Sequence, residues 1–272
     1  MWRRLLHRLA CALGHDWEAR GGSFGRDSVM VCRRCDRPGR TVLRPLRSDE
    51  RWFRDRAEAG EALLESVQAE GLSFDVGLAI PRGGLPVAEV VAAGLHLPLD
   101  VLIARKVGTP GQPELAMGAV TRFGAVWNES LLEALALPES ELERCLRQAL
   151  EEVERREEAY RGSVEALGVS GRRVLLVDDG LATGATMAAA AQAVQSAGAE
   201  SVVVGVPVAS ADAVERIKQL GASVVSVSTP PDFFGIGQFY QDFGQVPDEE
   251  CLEILERTRG SGARHTETNE VC

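Results

Sequence analysis

The sequence predicts an α/β protein built on a parallel sheet, preceded by a small separate N-terminal module. Three observations carry this. Short apolar runs rich in Val, Leu and Ile alternate through the body with amphipathic stretches of helical period, as parallel strands joined by right-handed crossovers do. Polar turns bearing glycine and charge recur where those strands end and helices begin, at Pro81 to Gly84, at Arg105 and Lys106, and at Asp178 to Gly184. The segment 1–46 stands apart from 47–259 by its Arg content and its clustered Cys11, Cys32 and Cys35.

Within the body, Asp49 to Gly71 has helical spacing in Trp52, Phe53, Ala57, Leu63, Leu64 and Val67, with Asp49 placed to cap and Gly71 to stop it. Phe74 to Ile80 reads as a strand closed by Pro81-Arg82-Gly83-Gly84, and Val87 to Ala93 as a helix ended by Gly94. Leu99 to Ala104 is the next strand. It runs into Arg105-Lys106 and a Gly- and Pro-rich stretch that reads as a mobile cationic arm. Gly118 to Val126 suits a short hairpin. Leu137-Pro138 opens a long charged helix reaching Tyr160, whose Glu and Arg residues are expected to form a solvated face. Ser201 to Val208 and Ser223 to Ser228 are strands flanking an amphipathic helix, Ala211 to Leu220. Pro230 to Phe243 is a loop holding four of the 8 Phe, and Pro247 to Arg257 is a closing helix. Residues 260–272 are polar and glycine-bearing, as disordered tails are.

The organising stretch is Val174-Leu-Leu-Val-Asp178-Asp179-Gly180-Leu-Ala182-Thr183-Gly184-Ala185-Thr186-Met187. A buried strand leads through adjacent acids into a Thr-Gly-Ala-Thr turn at a helix start, where unpaired N–H groups and the helix dipole favour an anion. A Walker loop would need a Lys before the Ser/Thr, and a dinucleotide turn would need Gly-x-Gly-x-x-Gly; neither is present. Two carboxylates beside a phosphate seat suit a sugar phosphate. Val-Asp-Asp-Gly-Leu-Ala-Thr-Gly-Ala-Thr resembles the signature with which type I phosphoribosyltransferases bind 5-phosphoribosyl 1-diphosphate (PRPP). The resemblance extends over roughly Trp52 to Arg257.

That resemblance implies the type I phosphoribosyltransferase fold and transfer of a phosphoribosyl group from PRPP, with Mg²⁺, to a nitrogen nucleophile, releasing pyrophosphate. It implies that Asp178 and Asp179 hold the ribose hydroxyls and that Ala182, Thr183, Gly184, Ala185 and Thr186 seat the 5′-phosphate. Arg82, Gly83 and Gly84 correspond to the pyrophosphate loop, and Arg105 with Lys106 to cations that neutralise the departing diphosphate. Ala182 stands where hypoxanthine-guanine enzymes usually place an Asp, which argues against a 6-oxopurine acceptor. Glu114 is a general-base candidate only through its place in the expected mobile loop. Pro230 to Phe243 suits a hood: Phe234 and Tyr240 either stack on a planar base or anchor the loop on the core. The competing class is a sensor that keeps the fold and PRPP binding without turnover; a third is transfer to water. The fold is commonly homodimeric.

In the N-terminal segment, Cys11-x3-His15 and Cys32-x2-Cys35 have the ligand types and spacing of one tetrahedral Zn²⁺. Gly14-His15-Asp16-Trp17 with the later Cys-Arg-Arg-Cys resembles small zinc-ribbon modules of bacterial and phage proteins. Four protein ligands would make such a site structural, a metal staple for a segment too small to fold on apolar burial. Up to Arg56 the chain carries 14 Arg against seven acids, although its net charge is −10, so the body is strongly acidic. The basic appendage suits an anionic partner such as RNA or DNA, or a solvated face packed on the acidic body. No apolar run has the length of a membrane span, and His7 and Arg8 interrupt the only signal-like start. With Cys145, Cys251 and Cys272 scattered singly, the expectation is a reduced, cytoplasmic protein.

Overall fold

The computed structural model describes residues 17–20, 29–32, 53–162 and 164–262. The chain divides into two compact units, Met1–Glu50 and Arg51–Cys272. In the first, β1 (Trp17–Arg20) pairs antiparallel with β2 (Val29–Cys32), Trp17 opposite Cys32. Cys11, His15 and Cys35 lie outside the described residues, and with them the zinc-ribbon expectation.

The second unit opens with α1 (Arg56–Ala69), followed by β3 (Val76–Ala79), α2 (Gly84–Leu95) and β4 (Leu99–Val101). A three-stranded excursion comes next: β5 (Arg105–Thr109), β6 (Gln112–Thr121) and β7 (Gly124–Trp127). Two helices, α3 (Glu129–Leu135) and α4 (Glu139–Arg161), lead back to β8 (Arg173–Val177). Then α5 (Ala185–Ser196), β9 (Ser201–Val208), α6 (Ala211–Gln219) and β10 (Ser223–Ser228) follow. A 3₁₀ turn (Ile236–Phe239) and α7 (Asp248–Gly262) complete it.

The main sheet has the order β10-β9-β8-β3-β4 with every pair parallel. In chain order its first strand, β3, lies between the second and the third, so the winding reverses between β3 and β8. In open α/β sheets that switch point leaves a crevice at the strands' carboxyl ends. Alternate side chains feed two cores, as the two-residue period of a strand requires. Val76, Leu78, Val174 and Leu176 pack with Met187 and Ala190 of α5 and Ile217 of α6. Ala79, Leu175 and Val177 face Leu63 of α1, Val91 of α2, Val153 of α4 and Ile254 of α7. The alanines of α5 (Ala188 to Ala191) are all buried, and their small side chains let that helix lie close on the sheet.

Several expectations are corrected. Asp55, not Asp49, caps α1: its carboxylate accepts from the Glu58 N–H at 2.9 Å. Gly94 lies inside α2, where an added Cβ would meet Leu64 Cδ2 at 2.2 Å, and the helix ends instead on His96 in the left-handed conformation. The cationic arm is a strand: β5 pairs with β6, which pairs with β7, around a turn at Gly111 with φ +76°. Val107, Met117 and Val120 of this small sheet are buried in the core shared with α4, which is why its Gly and Pro residues do not leave it a loop. The face of α4 is not wholly solvated either, since Glu157 and Arg161 are buried. Finally, α7 runs to Gly262, into the stretch expected to be tail. Among the described residues no helix is long and apolar enough to cross a membrane.

Candidate functional site

The crevice at the switch point is built by two loops. Pro81 to Gly83 follow β3, across a cis peptide bond between Pro81 and Arg82, and Asp178 to Gly184 follow β8. They touch so closely that glycine is obligatory. A Cβ on Gly83 would fall 2.0 Å from Asp179 Oδ2, and one on Gly84 would fall 2.7 Å from the Val177 carbonyl. The diglycine therefore serves to admit the acidic pair.

Asp179 is 7% exposed and bound on several sides. The Arg56 Nε donates to its Oδ2 at 2.9 Å, and the Tyr240 hydroxyl donates to its backbone carbonyl at 2.7 Å. Arg56 also donates to the Gly244 carbonyl at 2.9 Å and lies over the Phe243 ring, 4.2 Å from its centroid. The α1 start, the acidic turn and the segment after β10 are thus tied through one guanidinium. Asp178 has no cation within ion-pair distance among the described residues; its Oδ1 accepts from the Asp179 N–H at 2.8 Å. Burial and the neighbouring Asp179 push its carboxyl well above the ordinary range. Burial also raises Asp179, against the opposing pull of Arg56. The two acids share one Arg, so the ionised pair carries an excess negative charge that a ligand can neutralise.

Beyond the acids, Ala182, Thr183, Ala185 and Thr186 are exposed. Gly184 takes φ +69° to turn the chain into α5; it offers no side-chain cap itself, and the Thr183 hydroxyl accepts from the Ala185 N–H at a long 3.4 Å. The next N–H groups of that first turn have no side-chain acceptor among the described contacts, an arrangement that suits an anion. The loop is braced from outside: the Ser210 hydroxyl donates to the Ala182 carbonyl at 2.6 Å.

The other predicted residues are placed differently. Arg82 is exposed and turns toward α7, 3.8 Å from Asp248. Arg105 pairs with Glu152 of α4 at 3.6 Å, and Lys106 is exposed. Among the described contacts none joins Arg105 or Lys106 to Arg82 or to the acids. Tyr240 is not a stacking platform. It is fully buried, with Phe53 and Phe243 against its ring at centroid distances of 5.5 and 5.0 Å, and it fixes Asp179 from behind. Phe239 anchors with it, whereas Phe234, 80% exposed, is the most outward aromatic side chain of that segment. Glu114 lies in β6, its side chain outside the described residues. Arg56 was not anticipated. Its one signal is a cation at a helix start, where the dipole disfavours it, so it needs a specific acid.

Residues 54–243 match the phosphoribosyl transferase domain family, and the chain belongs to that family. It is similar to proteins provisionally named phosphoribosyl transferases in two strains of Mycobacterium tuberculosis, 40% identical over 206 residues, covering 75% of this chain and 46% of theirs. The chain therefore spans about half the length of those curated relatives. It is also similar to the crystal structure of TT1426 from Thermus thermophilus, at 45% identity and TM-score 0.68, covering 76% of this chain and 98% of that one.

Proposed function

We propose that the protein transfers the 5-phosphoribosyl group of PRPP to a nitrogenous base or related acceptor, releasing pyrophosphate. The observation carrying this reading is the unbalanced acidic pair beside an exposed helix-start loop whose one side-chain cap contact is the long Thr183 bond, both at the switch point of a parallel sheet. Such a pair accepts from the two ribose hydroxyls, and the amides of 182–186 receive the 5′-phosphate. Cleavage of the bond from ribose C1 to the diphosphate, with formation of the bond to nitrogen, passes through a ribose with oxocarbenium character. Catalysis then rests on fixing the ring and stabilising charge.

In this scheme Asp178 and Asp179 orient the ribose, and their negative charge stabilises the positive charge developing on it. Arg56 opposes the rise that burial imposes on Asp179 and holds that side chain in place, while leaving Asp178 to the substrate. Arg82 and Arg105 hold only long ion pairs with partly exposed acids, which cost little to exchange for diphosphate oxygens, and Lys106 is available for the same purpose. The donor set also fits Mg²⁺, since hard oxygen ligands with an uncompensated charge suit that ion, and Asp178 would hold it directly or through its water shell. When bound, Mg²⁺ would neutralise the leaving diphosphate. The acceptor in this reading is a base other than a 6-oxopurine, because Ala182 is an exposed methyl where the hypoxanthine-guanine enzymes usually have an Asp, and the exposed ring of Phe234 is the proposed stacking partner. The Cys11, His15, Cys32 and Cys35 set is proposed as a structural Zn²⁺ site.

The test is pyrophosphate release from Mg·PRPP with a panel of purine and pyrimidine bases. Release that depends on one base is the expected result. Tight PRPP binding without release for any base would replace the transferase by a sensor, and release without a base would make the acceptor water.

A further inference from the structure

The loop proposed to seat the 5′-phosphate carries no cation of its own. Residues 182–186 offer backbone N–H groups and the Thr183 and Thr186 hydroxyls, and they follow directly on two carboxylates. A phosphate monoester carries a charge of about −1.5 to −2 near pH 7. Beside the acidic pair such a group needs a positive charge, which neutral dipoles do not replace. We infer that Arg216 of α6 supplies it, as a further binding residue for the 5′-phosphate, an inference that rests on the transferase reading for the identity of the ligand as PRPP.

The geometry begins where α6 packs on that loop. A Cβ on Gly184 would meet the Ala213 Cβ at 3.0 Å. Ser210, the N-cap of α6, donates to the Ala182 carbonyl at 2.6 Å and accepts from the Ala213 N–H at 3.1 Å. The first turn of α6 is thereby fixed against the loop. Arg216 lies one turn on from Ala213, on the same side of the helix, and helical side chains lean toward the N-terminus, here toward the loop. The cleft of about 310 Å³ between α5 and the β5–β6–β7 sheet accordingly has Arg216, Ala185 and Thr186 in one lining, with Arg105 and Lys106 contributed by β5.

Charge points the same way. No Asp or Glu lines this cleft, on a chain of net charge −10. Arg105 is paired with Glu152, and it and Lys106 come from the sheet side, where the transferase reading gives them the diphosphate. Arg216 is the lining cation that comes from the helix layer bearing the loop, and it has no ion-pair partner among the described residues. The helix dipole does not account for it, because Lys218 already places a cation in the last turn of α6. A guanidinium presents a planar fork of N–H donors that matches two phosphate oxygens, so Arg216 and the loop amides can hold one phosphate from two sides.

The experiment titrates ribose 5-phosphate, Mg·PRPP and Mg·pyrophosphate into the full-length wild-type protein, Arg216→Gln and Arg216→Lys by calorimetry. In Arg216→Gln the affinity for ribose 5-phosphate and for Mg·PRPP should fall about tenfold, the lower end for a charged hydrogen bond because the residue is solvent-exposed. Affinity for Mg·pyrophosphate should stay as in the wild type. Arg216→Lys should recover part of the loss, since it keeps the charge without the fork. An equal loss for Mg·pyrophosphate would overturn the inference by moving Arg216 to the diphosphate end. Unchanged affinities, with or without a lowered melting temperature, would overturn it too and leave the transferase reading standing. Binding of ribose 5-phosphate that depends on Arg216, without binding of Mg·PRPP, would refute the transferase reading and uphold this residue. No binding of any of the three by the wild type would overturn both.

Discussion

The molecule buries charge in two places by opposite rules. Under β4, Asp100 and Glu157 meet Arg161 and Arg122: Arg161 reaches Asp100 and Glu157 at 2.9 Å each, and Arg122 reaches the same two acids at 3.2 and 3.1 Å. Two acids and two cations cancel, and the Leu167 N–H and the Val101 carbonyl take up further hydrogen-bonding capacity. At the end of β8, Asp178 and Asp179 share Arg56 alone. The first cluster is balanced in charge, with only Arg122 Nε left without a hydrogen-bond partner, and ties the β6–β7 turn, β4 and α4 together. The second is left short of one positive charge, beside a helix start whose one side-chain cap contact is the long bond from the Ala185 N–H to Thr183. A neutral buried cluster serves the fold, whereas an incomplete one retains a place for a ligand. Natural proteins commonly sacrifice stability at such sites for function.

That contrast can be broken deliberately. The largest effect is expected from Arg161→Met, which gives the balanced cluster the imbalance of the open one. It should cost about 3 to 5 kcal/mol, the usual loss when one partner of a buried ionic group is removed, measured by urea unfolding. A cost under about 1 kcal/mol would mean that the cluster contributes no more than a surface pair.

Gly83→Ala comes next, because its Cβ and Asp179 Oδ2 cannot both keep their places at 2.0 Å. We expect a loss of about 1 to 3 kcal/mol from overpacking, together with a sharp fall in PRPP affinity as the acid is displaced. Unaltered affinity would show that the diglycine does not position the pair.

Asp178→Asn should act in the opposite sense on stability, raising it by about 1 kcal/mol in the free protein, since it removes an unpaired and poorly solvated charge. Thermal unfolding without Mg²⁺ or PRPP reads this out, and a lowered midpoint would contradict the imbalance. The smallest effect is on the pH dependence. A carboxyl whose folded pKa lies above its unfolded one holds its proton longer in the native state, so the unfolded state binds fewer protons between the two values. Stability of the free wild-type protein should therefore fall as pH rises from the ordinary carboxylate range, about 4, toward the raised pKa of Asp178. The slope should be shallower in Asp178→Asn, with Asp179, also raised, supplying the remainder.

How much of this was legible in the sequence follows from what each element depends on. The strands Ser201–Val208 and Ser223–Ser228 appear where expected because β-branched runs bounded by polar turns specify them locally. The turn from β8 into α5 was legible for the same reason: strand, acids, Gly184 and an alanine-rich helix are consecutive. The cationic hairpin was misread because its Gly and Pro residues signal a loop, while the burial of Val107, Met117 and Val120 that makes it a sheet depends on α4, distant in the chain. The role of Tyr240 was half visible, as its aromatic segment could anchor or stack. Only the tertiary structure sets its ring between Phe53 and Phe243 and its hydroxyl on Asp179. Arg56 and the Asp100 cluster were invisible, since partners 123 and 61 positions apart leave no local pattern.

In the proposed function the unpaired negative charge at the end of β8 is kept for the ribose of PRPP. Calorimetric titration of Mg·PRPP into wild-type protein and Asp178→Asn tests it most directly. Expected are saturable binding by the wild type and affinity lower by about ten- to a hundredfold in the variant, from loss of a charged hydrogen-bond acceptor, even as the variant is expected to be the more stable protein. Equal affinity in the two, or no binding by the wild type, would contradict it.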